Sequence, residues 1–152
     1  MRLLTNKAGF TIIEILIALI VVCCLLLLAP PITQKELTLY EERLFLETFE
    51  NEFKVVQVAA ITTGKASLVT FLPDPVNTVT LTARGEKTVN KTLSLPKSLH
   101  LKTTFDLILH ARSGSPATYR EIIFHGKYYR YHYHFQLGGA KYYVEKEAIP
   151  SS

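Results

Sequence analysis

Glu14 is the single acidic or basic side chain in an otherwise apolar run, residues 10–29, with Phe10, Ile12, Ile13, Ile15, Leu16 and Ile17 around it. A charge at the middle of a membrane helix costs roughly 3 kcal/mol, less near the end, so the carboxylate needs a function and a cationic partner. A second candidate is His132-x-His134. On a strand these two imidazoles share one face, as two metal ligands would. The sequence after residue 64 has no Cys and offers no carboxylate at a convincing spacing, so no metal site and no cofactor are expected. Ser113 and Ser115 sit in a Gly/Pro turn without a paired acid and base. There is no phosphate-cradling Gly loop, nucleophile elbow or zinc-binding helix motif, so enzyme activity is not expected. Cys23 and Cys24 are adjacent within the apolar run, behave there as small hydrophobes, and cannot staple a domain.

The run from Tyr128 to Phe135 alternates aromatic and basic residues. As a strand it sets Tyr129, Tyr131, Tyr133 and Phe135 on one face and Arg130, His132 and His134 on the other. Two readings compete. The basic face, extended by Lys127 and Lys141, is a candidate DNA contact. The alternation is also what a half-buried strand beside a helix requires. The formal net charge is +4, and from Arg84 onward Lys and Arg outnumber Asp and Glu by eleven to five. This excess falls far short of a dedicated nucleic-acid-binding composition.

The elements that must position these residues follow from periodicity. Residues 10–29 form a helix about 30 Å long, the thickness of a hydrocarbon core. Arg2 and Lys7 precede it and an acidic stretch follows, which predicts a single pass with a cytoplasmic N-terminus and the remainder outside. A secretory signal peptide fits poorly, because Ala29-Pro30-Pro31 offers no small-residue cleavage pattern. After the prolines, Phe45, Phe49, Phe53, Val56 and Ala60 recur at helical spacing, with Glu41, Glu42, Glu47, Glu50 and Glu52 largely off that stripe and Thr62-Thr63-Gly64 as its stop. From residue 66 the period becomes two. Eight strands are predicted, at 67–72, 78–83, 88–95, 99–103, 106–110, 121–124, 127–137 and 141–145. The class is α+β, a long N-terminal helix (10–31 in the membrane, 32–64 amphipathic) packed on an antiparallel sheet head (65–152).

Gly9-Phe10-Thr11-Ile12-Ile13-Glu14 resembles the processing motif of type IV prepilins and pseudopilins. The resemblance implies a leader at 1–9, cleavage between Gly9 and Phe10 by a prepilin peptidase, N-methylation of Phe10, and a pilin-like fold. It also implies an assembly role for Glu14, beside other major and minor pilins and an assembly ATPase and membrane platform. Gly114-x-Pro116, His125-Gly126, Leu137-Gly138-Gly139-x-Lys141 and a last strand with Glu145 are similar to the tail of Gram-positive competence minor pilins of the ComGD type. That likeness implies a subunit of a cell-surface pilus for DNA uptake. A type II secretion pseudopilin, a minor pilin of an adhesion or motility pilus, and a monomeric membrane-anchored binding protein stand as alternatives.

Overall fold

The computed structural model describes residues 11–28, 33–118, 121–136 and 141–150, and the chain divides into two units after Thr33. In the first unit, α1 spans Ile12–Leu28. The carbonyl of Thr11 accepts from the amides of Glu14 (3.1 Å) and Ile15 (3.2 Å), so a threonine stands where helices favour an N-cap. Ile12, Ile13, Ile15, Leu16, Ile17, Leu19 and Ile20 are all exposed. A helix apolar around its whole girth is built to be covered by something other than water. Its 17 residues rise about 25 Å. Among the described residues no helix is long and apolar enough to cross a membrane. The predicted span of 10–29 reaches beyond the described residues at both ends.

The second unit is built on α2, Gln34–Thr63. Its predicted stripe is buried: Phe49 and Phe53 at 1% exposure and Ala60 at 0%. The helix stops where the sequence placed its end, with Gly64 in the left-handed region (φ 63°) that a glycine enters without steric cost. One placement is corrected: Glu42, grouped with the glutamates largely off the stripe, is fully buried. It lies three residues before Phe45 and seven before Phe49, which puts it on the stripe itself.

Seven strands follow among the described residues, all antiparallel: β1 Ser67–Leu72, β2 Thr78–Ala83, β3 Val89–Ser94, β4 Phe105–Leu109, β5 Ile122–His125, β6 Tyr129–Phe135 and β7 Tyr142–Ala148. They form two sheets, ordered β3-β2-β1-β4 and β5-β6-β7, where one sheet was expected. The predicted strand at 99–103 is not formed. Leu99 and Leu101 are buried while His100 and Lys102 are exposed, so the alternation is real. It yields one rung only, a reciprocal pair of backbone bonds between His100 and His125 (2.8 and 2.9 Å). The sheets share one core on α2. Phe49 meets Phe71 of the first sheet and both Phe124 and Tyr133 of the second edge-on, with centroids 5.3–6.0 Å apart.

Candidate functional sites

Two regions carry the residues singled out in the sequence. In the N-terminal region, Arg2, Lys7, Gly9 and Phe10 lie outside the described residues. Glu14 is described: it occupies the first turn of α1 and is exposed. That position suits a carboxylate, because the amide dipoles point their positive end there. Cys23 and Cys24 are exposed on the same helix and unpaired with each other.

The other region is the outer face of the second sheet. The strand β6 has Tyr131, Tyr133 and Phe135 buried and sends Arg130, His132 and His134 outward, which is the predicted division. The register of β6 with β7 sets His132 opposite Glu145, Arg130 opposite Glu147 and His134 opposite Tyr143. Pairing of Ile122 with Tyr133 in β5–β6, extended by one residue, brings Glu121 beside the histidines. The basic residues are therefore interleaved with carboxylates. Arg130 Nη1 is 3.2 Å from Glu147 Oε2, and His132 Nε2 is 3.3 Å from the same oxygen. Those two hydrogen bonds hold the Glu147 carboxyl below its ordinary range. His132 Nδ1 lies 2.6 Å from Glu121 Oε1, which is also 3.3 Å from His134 Nε2.

The five residues proposed for DNA contact do not form one free basic track. Lys127 and Lys141 are exposed at the two ends of the hairpins. Arg130, His132 and His134 between them each face a carboxylate. His125, beyond Arg130, is held below the usual imidazole range by burial and then by the charges of Lys102 and Arg130.

Two glutamates matter that sequence reasoning did not single out as site residues. Glu42 of α2 accepts from Tyr131 Oη (3.0 Å) and from the Lys127 amide (3.2 Å), tying the helix to the β5–β6 turn. Its helical spacing from Phe45 was the available signal. Glu121 is the carboxylate that the His132-x-His134 pair lacked in linear sequence. Only the hairpin register, with a short turn at His125-Gly126, places it there.

Residues 4–30 match the prokaryotic N-terminal methylation motif. Comparison with curated proteins and with solved structures finds no match to either. The chain thus carries, across residues 4–30, with Glu14 and α1 among them, the signal of type IV pilin-like prepilins, which implies peptidase processing, a membrane-anchored subunit and assembly with other pilins.

Proposed function

We propose that the chain is a minor pilin of a competence type IV pilus, acting by filament assembly and not by catalysis. The observation that carries the pilin part is the methylation motif over residues 4–30, which contains α1, a helix apolar apart from Glu14 in its first turn. The competence part rests on the likeness of the tail around Gly114-x-Pro116 and His125-Gly126 to competence minor pilins.

The physical logic is a pairing of two charges. Cleavage between Gly9 and Phe10 creates an α-amine, cationic at neutral pH with a reference pKa near 8. In a filament core of staggered helices, with little water, that amine meets Glu14 of a neighbouring subunit. Leaving either charge unpaired there costs several kcal/mol, so the pair selects the axial register. Arg2 and Lys7 keep the leader in the cytoplasm, where the peptidase acts, and the sheet head faces outward. The partners are the other pilins of the filament, the prepilin peptidase and the assembly platform with its ATPase.

Deleting the gene in its native host tests the competence assignment. Transformation should fall to background and return on complementation, with protein secretion and surface adhesion unchanged. Normal transformation together with impaired secretion would assign the subunit to a secretion pseudopilus instead.

A further inference from the structure

We propose that Glu121, His132 and His134 form a binding site for a divalent transition-metal ion of the zinc class on the outer face of the second sheet. One donor atom from each of the three lies within 4.8 Å of the other two. The histidines stand two apart on β6 with their rings nearly parallel, 11° between planes and 6.1 Å between centroids. Tyr143 of β7 stacks on His134 at 4.8 Å and restrains that ring. Both imidazoles are about four-fifths covered, at 20% and 21% exposure.

The pattern of contacts points to an ion. Glu121 Oε1 faces two ring nitrogens at once, His132 Nδ1 at 2.6 Å and His134 Nε2 at 3.3 Å. The first is a hydrogen bond, and one proton satisfies it. His134 Nε2 is sealed from solvent and makes no hydrogen bond. A buried ring nitrogen left without a partner is costly. A cation bonded to all three atoms satisfies the orphan and replaces the proton. Around a tetrahedral zinc, donors with bonds of about 2.0–2.1 Å stand about 3.3 Å apart, so the His134–Glu121 spacing already fits, while the short His132–Glu121 contact must open and the two histidine nitrogens, within 4.8 Å of each other, must settle to the same spacing.

The surroundings complete the argument. His132 Nε2, on the far side of the ring from the site, lies 3.3 Å from Glu147 Oε2. A carboxylate on the second nitrogen of a metal-binding histidine fixes its tautomer and strengthens it as a ligand. Glu145 Oε2 is 3.6 Å from His134 Nε2 and can supply a fourth ligand, or water can. Two imidazoles and a carboxylate suit zinc, and also nickel or copper, better than calcium or magnesium. The bound ion would clip the start of β5 to β6, with Glu145 extending the clip to β7.

The test uses the full chain in detergent, stripped with a chelator and titrated with zinc chloride by calorimetry, with melting followed in parallel. One ion per chain, a raised melting temperature and at least a tenfold loss of affinity in both His134→Asn and Glu121→Gln are expected. His110→Ala, at an exposed histidine after β4, should bind as the wild type does. If His134→Asn does not fold, Glu121→Gln decides by itself. No stoichiometric zinc in the wild type, or undiminished binding in Glu121→Gln, would overturn the proposal.

Discussion

A carboxylate taken out of water needs donors, and Glu42 has two, the Tyr131 hydroxyl and the Lys127 amide. Glu42→Ala would leave both unsatisfied in a closed site and should cost about 2–3 kcal/mol, read as a lower urea midpoint of the detergent-solubilised chain. Tyr133 is a similar case with the titration on the other partner. It donates to Glu50 Oε1 at 3.0 Å, and burial together with that carboxylate raises its pKa well above the ordinary 10. Because the folded state holds the proton and the unfolded state releases it, this contribution is present below pH 10 and lost above it. Stability should fall by up to about 1.4 kcal/mol per pH unit beyond pH 10, and Tyr133→Phe should flatten that decline. Urea midpoints across the alkaline range would show it. Glu14 has no such partner within its own helix, and in the proposed filament its partner is another chain. Glu14→Ala should therefore insert in the membrane and be trimmed normally, yet be missing from sheared pili. Incorporation at the wild-type level would rule out the pairing.

Among the elements, α2 was readable because its apolar steps of four, four, three and four match one helical face. What was not readable was the exception: Glu42 sits on that face, although it was grouped with the glutamates largely off it. The strands at 67–72 and 78–83 were legible to the residue, since alternation and turn residues are local signals. Residues 99–103 show the limit of such signals. Alternating burial at Leu99 and Leu101 arises there without a ladder, because among these residues only His100 forms a bridge to another strand. The third member of the histidine cluster was illegible for a related reason, as cross-strand neighbours depend on register and not on spacing along the chain. The β5–β6 turn gives an element-scale prediction. A Cβ at Gly126 would lie 2.7 Å from Glu42 Oε2 and 2.8 Å from the Tyr129 carbonyl oxygen. Gly126→Ala should destabilise by about 1–3 kcal/mol. Faster amide exchange at Lys127, whose donor bond to Glu42 is displaced, would accompany it.

As a whole molecule the chain divides its work between an apolar helix and a folded head. The head has its own core, in which Phe49 joins both sheets, so Phe49→Ala should cost about 3–5 kcal/mol and lower the melting temperature of the entire second unit. The helix has no core of its own, and its exposed isoleucines and leucines need a membrane or neighbouring subunits to cover them. That division was plain in the sequence, since composition changes sharply at Pro30-Pro31. The grouping of strands into two sheets was not, because local alternation does not state which strands pair. In the proposed assembly, α1 enters a filament only after a peptidase has removed what precedes Phe10. Mass spectrometry of the protein from sheared surface filaments of its native host tests this most directly. A mature chain beginning at Phe10 and carrying an N-methyl group is the expected result; filaments that contain the chain with Met1 still attached would contradict it.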